Sequence, residues 1–147
     1  MHSKFIPLAA FLSGAALLAG CATNPAMAVF DTGSQLQVRS HQTRVFETAD
    51  RGNALRAIIA TLQDLGFVID KADATLGSVS ATKLARYELR MTVTVRPRGA
   101  KQLLVRANAQ YKASPVATAV PIEDPGPYQD FFAALAKSLF LAAQQVD

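Results

Sequence analysis

The chain has one cysteine, two histidines and no tryptophan among its 147 residues. A single cysteine excludes an internal disulfide framework and a cysteine-rich zinc site. A dominant charge is also lacking: 15 Lys+Arg stand against 11 Asp+Glu, a formal net charge of +4. The basic residues are spread thinly rather than gathered in a patch or stripe, so nucleic acid is not an expected partner. No glycine-rich phosphate loop is present, and Ser78, Ser80 and Ser114 sit in no nucleophile elbow. Asp70, Asp73 and Glu123-Asp124 fall at predicted turns, where such residues serve backbone hydrogen bonds. Catalysis needs a nucleophile with a base, paired carboxylates or a metal. With His41 left as the lone histidine after residue 20, no such set can be assembled. The sequence therefore predicts a non-enzymatic protein with no cofactor and no metal. Apolar residues, by contrast, are plentiful: half the chain is hydrophobic, enough for the core of one domain and too much for a disordered chain.

The N-terminus holds the longest apolar run. Met1 to Lys4 is a short n-region with one lysine, and Phe5 to Leu18 is relieved only by Pro7, Ser13 and Gly14. This is the pattern of a secretory signal peptide, too short for a good membrane span. It ends in the small residues Ala19 and Gly20, and the next residue is the only cysteine.

Leu18-Ala19-Gly20-Cys21 resembles the lipobox of bacterial lipoproteins: a leucine, two small residues, then cysteine. The resemblance implies cleavage between Gly20 and Cys21 and a diacylglycerol on the Cys21 sulfur. The plainer alternative is an ordinary signal peptide with a chance cysteine at its end. Two or three acyl chains give a stable anchor, at about 0.8 kcal/mol per buried methylene. Lipoproteins kept in the inner membrane tend to carry an aspartate just after the cysteine, and Ala22 stands there. The expected location is thus the outer membrane, lipid-anchored and facing the periplasm, with the inner membrane as the alternative. Loss of residues 1–20 removes Lys4 and no acid, which leaves a formal charge of about +3.

Residues 21–34 mix small residues with Asn24, Pro25, Asp31 and Gly33 and read as a tether, with Met27, Val29 and Phe30 apolar enough to dock on a domain. Residues 35–147 form a single domain on this reading. Leu36 to Phe46 is expected to be its first strand, with imperfect alternation. Asp50 can cap a helix in which Leu55, Ile58, Ile59, Leu62 and Leu65 share one face, and Gly66 ends it. Phe67 to Lys71 and Ser78 to Lys83 follow as short strands around a turn at Asp73 to Gly77. Tyr87, Leu89, Met91, Val93 and Val95 alternate with polar residues as a half-buried strand requires. Pro97 to Lys101 is a hairpin connection, and Leu103, Val105, Ala107, Ala109 and Tyr111 are the inner positions of the next strand, with Leu104 an apolar exception outside. Four prolines between residues 113 and 127 exclude a helix or central strand there. Pro127 suits the first turn of a last helix with Tyr128, Phe131, Leu135, Leu139 and Ala142 on one stripe. One face cannot easily bury both Phe132 and Phe140 as well.

The resulting order is βαββββα. It predicts an α+β two-layer sandwich, a mostly antiparallel sheet of about five strands with two helices on one face. The stretch Thr48 to Lys83 carries a capped helix, the Gly66-Phe67 stop, and the turn Leu76-Gly77-Ser78-Val79 into a strand. It resembles the helix-grip domains of the BamC lipoprotein of the outer-membrane barrel assembly machine. BamC has two such domains and a longer N-terminal segment, so the resemblance implies a fold and a compartment and no partner residues.

On the outer sheet face, Arg90, Thr92, Thr94, Arg96, Arg106, Asn108 and Gln110 are expected to form a continuous polar, basic surface. A solvated face is the ordinary explanation; a docking face for an acidic protein, anionic lipid headgroups or cell-wall polymer is the functional one. The expected role is an accessory or structural component of a cell-envelope complex, held to the membrane through acylated Cys21. The alternative is a small lipid- or amphiphile-binding module with its ligand between the long helix and the sheet.

Overall fold

The computed structural model describes residues 35–144, with side chains through Leu141. Residues 1–34, which include Cys21 and the segments expected to be a lipobox and a tether, lie outside the described residues. The described part is α+β: three helices and one antiparallel sheet. Helix α1 covers residues 35–42, and strand β1 is Thr43–Phe46. Helix α2 is Arg51–Asp64, followed by β2 (Val68–Asp73), β3 (Ser78–Leu84), β4 (Glu88–Arg98) and β5 (Gln102–Lys112). A two-residue strand β6 (Val120–Pro121) and helix α3 (Gly126–Gln144) complete it. The sheet order is β1-β5-β4-β3-β2, with β6 pairing β5 beyond the end of β1.

Two expectations are corrected. Leu36 to Phe46 is not one strand, because only its last four residues pair with β5 and the rest is α1. The Leu36–Val38 alternation misleads here: Leu36 is exposed, while Val38, His41 and Gln42 are the more covered positions. That is the i, i+3, i+4 spacing of a helix face. Among the described residues helices therefore number three rather than two. The proline-rich segment does contribute β6, whose Pro121 sits on a sheet edge, where its missing N–H costs no ladder bond.

Helix α2 starts where Asp50 Oδ1 accepts the Asn53 N–H at 2.8 Å. It ends where the Gly66 and Phe67 N–H groups reach back to Gln63 O and Leu62 O. Lys83 Nζ donates to Leu65 O at 2.8 Å, so a basic side chain from β3 satisfies a carbonyl at the helix C-terminus. The β4–β5 hairpin is tighter than the sequence implies, because Pro97 pairs with Leu103 and Arg98 with Gln102.

Helices α2 and α3 pack on each other and on the inner sheet face. Ile58 and Leu62 from α2 meet Val79, Ala81, Met91, Val93, Val95, Leu103, Val105 and Ala107, all essentially inaccessible. From α3, Tyr128, Phe131, Phe132 and Leu135 fill the layer, each at most 1% exposed. Phe131 and Phe132 meet edge-to-face at 5.2 Å, and Phe46 of β1 lies 6.5 Å from Phe132. The competition on α3 is thereby decided: Phe132 is buried, whereas Phe140 is 64% exposed.

Candidate functional site

The seven residues expected on the outer face all lie on β4 and β5, the two longest strands. Their register pairs Arg90 with Gln110, Thr92 with Asn108, Thr94 with Arg106, and Arg96 with Leu104. Because alternate residues share a face, these positions all point away from α2 and α3. Strand β3 extends the rows with Ser78 opposite Thr94, Ser80 opposite Thr92, and Thr82 opposite Arg90. On the other side Thr43 of β1 stands opposite Arg106. The centre is thus a field of hydroxyls and amides, in which Ser80 Oγ and Thr92 Oγ1 lie 3.2 Å apart.

The arginines divide into two unlike groups. Arg90 is engaged: its guanidinium lies 3.9 Å from Asp70 and 3.8 Å from Glu88, and Nε approaches Thr82 Oγ1 at 3.5 Å. Thr82 in turn donates to Asp70 at 2.7 Å. Arg96 and Arg106 are exposed, and among the described residues neither has a carboxylate within ion-pair distance. Arg96 is opposite Leu104, so Arg106, two residues on, is its diagonal neighbour, about 7 Å away. Arg90 stands six residues from Arg96 along one strand, roughly 20 Å at the rise of a β-strand. The fold therefore brings Arg96 and Arg106 together and holds Arg90 apart.

Two features escaped the sequence reading. Arg98 continues the outward alternation of β4 beside Arg96 and is exposed; assigning Pro97 to the turn hid it. Leu104, read as an exception, stands opposite both Arg96 and Val45. Val45 and Leu104 are half-buried, so the basic end of the sheet has an apolar centre between its arginines and the β1 edge. The parity of β4 and β5 held the signal for both.

No family model and no curated protein matches this chain. What the chain can do must therefore be argued from its own surfaces. A partner with an apolar side chain and flanking carboxylates is the chemical complement of Leu104 and Val45 rimmed by Arg96, Arg98 and Arg106. At the other end of the same face, Gln42, Arg90, Thr92, Asn108 and Gln110, with Ala109 and Pro121, border a cleft of about 350 Å³. Gln42 is 8% exposed, and its Nε2 donates to the Tyr128 hydroxyl at 3.2 Å, which fixes it at the cleft wall. Among the described residues no group of three or more His, Cys, Asp or Glu is placed to hold a metal ion. No described helix is long and apolar enough to cross a membrane. Gly20 and Cys21 lie outside the described residues.

Proposed function

We propose that the chain is a lipid-anchored, non-enzymatic component of a bacterial cell-envelope complex, tethered at Cys21 to the outer membrane and docking an acidic protein through the basic end of its outer sheet face. The observation that carries the docking half is the arginine set Arg96, Arg98 and Arg106, exposed around half-buried Leu104 and Val45 on the face opposite both large helices. Leu104 and Val45 form an apolar pair between these three like charges and the β1 edge, where Glu47 accepts from Gln102, the residue opposite Arg98, at 2.6 Å. The repulsion among the arginines is relieved when carboxylates of a partner arrive. The anchoring half rests on the lipobox resemblance, and the likeness to BamC helix-grip domains supports the same compartment. The amphiphile-binding alternative is less favoured, because Tyr128, Phe131, Phe132 and Leu135 already fill the space between α3 and the sheet.

Cells fed a clickable fatty-acid analogue are expected to label the wild-type protein and not Cys21→Ser. Equal labelling of the two would sink the anchor. For docking, in-cell crosslinking followed by capture is expected to yield a partner with wild type. The Arg96→Gln/Arg98→Gln/Arg106→Gln variant should lose it by about tenfold at low salt and by less at high salt, as screened charges imply. Its unfolding midpoint should stay near wild type, since exposed charges contribute about 0–1 kcal/mol each. Undiminished capture by a folded triple variant would make the face merely solvated. Arg90→Gln is the control that leaves capture intact.

A further inference from the structure

The inner face of the sheet runs on past the helices that cover it. Leu89 pairs with Tyr111 one step beyond the Met91–Ala109 pair, and Tyr87 precedes β4 on the same side. Met91 and Ala109 are buried, but Tyr87 and Tyr111 are 47% and 38% exposed. The core layer thus ends in two uncovered aromatic rings, 5.8 Å apart and edge-to-face at 67°. They floor an open cleft of about 510 Å³ between the β3–β4 turn, the end of β5 and the β6–α3 connection. Ile122 and Pro127 add apolar wall, while Arg86 and Glu123 bring one charge of each sign to its lining. Asp124 also lines it, but its Oδ1 accepts the Gly126 N–H at 3.1 Å and is committed to the turn that starts α3.

We infer that this cleft binds a pyranose ring of a β-linked N-acetyl amino-sugar strand. A sugar ring has an apolar C–H face, which stacks on one ring of the tyrosine pair, and an edge of hydroxyls and an acetamide. Glu123 accepts from hydroxyls, and Arg86 donates to the acetamide carbonyl. A few polar groups around an aromatic floor are what a small-ligand site of this volume requires. A fatty acyl chain fits worse, because the cleft is open and its lining carries charges of both signs. An anionic headgroup fits worse still, since two carboxylates face one guanidinium. The cleft lies at the opposite end of the sheet from the arginines, roughly 30 Å from Tyr87 to Arg96 along β4 and roughly 17 Å from Tyr111 to Arg106 along β5. It stands independently of the docking face and of acylation at Cys21.

The chain has three tyrosines and no tryptophan, and Tyr128 is wholly buried, so tyrosine fluorescence reports on this cleft. Full-length protein in detergent, titrated with chitotetraose against a detergent-only control, is expected to give a saturable fluorescence change and measurable calorimetric heat. By calorimetry, Tyr87→Ala/Tyr111→Ala should weaken binding by at least about tenfold, and Glu123→Gln by several-fold, while the Tyr→Phe pair keeps most of the affinity. Glu123 is exposed, so its variant tests the site without risk to the fold. Absence of saturable binding overturns the inference, as does an affinity unchanged in Glu123→Gln or in a folded double-alanine variant.

Discussion

Gly77→Ala is expected to lower the free energy of unfolding by about 3 kcal/mol, read as a fall in the urea midpoint at unchanged slope. Gly77 closes the β2–β3 turn and has φ +68°, where an L side chain pushes its Cβ toward the following carbonyl. Space is lacking too. A Cβ there would meet Arg51 Nη2 and stand 2.7 Å from the backbone oxygen of Val95. The arginine can swing away, but then it gives up its 2.8 Å bond to Thr75 O. The carbonyl belongs to β4, and it cannot shift without disturbing the 2.8 Å bond from Val95 N to Gly77 O. Gly99→Ala is the internal control. Its φ of +65° is similar, but nothing lies within 4 Å of the added Cβ, so only the conformational cost of about 1 kcal/mol remains. Equal losses at the two positions would show that crowding at Gly77 is absent.

Tyr128→Phe should cost about 2–3 kcal/mol although it removes a single oxygen. That hydroxyl is buried and fully used. It donates to Ile122 O at 2.7 Å and accepts from Ala109 N and Gln42 Nε2, each at 3.2 Å. Strand β1 covers one part of the β5 edge and β6 another, and Ala109 lies between the two paired stretches. The tyrosine oxygen closes that gap and ties α1, β5 and the segment after β6 to the start of α3. With phenylalanine, three polar groups lose their partner while the ring packing is kept. Beyond the midpoint shift, the Ala109 amide is expected to exchange faster and the segment before α3 to be cut more readily by protease. A slower-exchanging or unchanged Ala109 amide would mean that water replaces the hydroxyl without loss.

The elements whose pattern repeats locally were readable from residues alone. Asp50, the 55-58-62 spacing and Gly66 bound α2 because capping and helical periodicity act over a few residues. The alternation from Leu89 to Val95 and from Leu103 to Ala109 marks β4 and β5 because a half-buried strand exposes every second side chain. That same parity placed Arg90, Thr92, Thr94, Arg96, Arg106, Asn108 and Gln110 on one face, since pairing two such strands aligns their outer positions. The proposed lipobox rests on four adjacent residues, Leu18 to Cys21, outside the described part of the chain.

What needed the tertiary structure are contacts between residues far apart in the chain. Residues 35–42 are helical because Val38, His41 and Gln42 find cover as a helix face and Gln42 reaches Tyr128, 86 positions away. No local pattern separates that from the strand that Leu36 and Val38 imitate. Arg90 is neutralised by Asp70, a residue of β2 that only the sheet brings near it. Leu104 becomes the centre of a basic rim only once β1 sets Val45 beside it. Tyr87 and Tyr111 have the parity of core residues, and their exposure follows from where α2 ends and α3 begins. Periodicity along a chain determines which face a side chain takes; how far the covering layer extends is set by packing between elements.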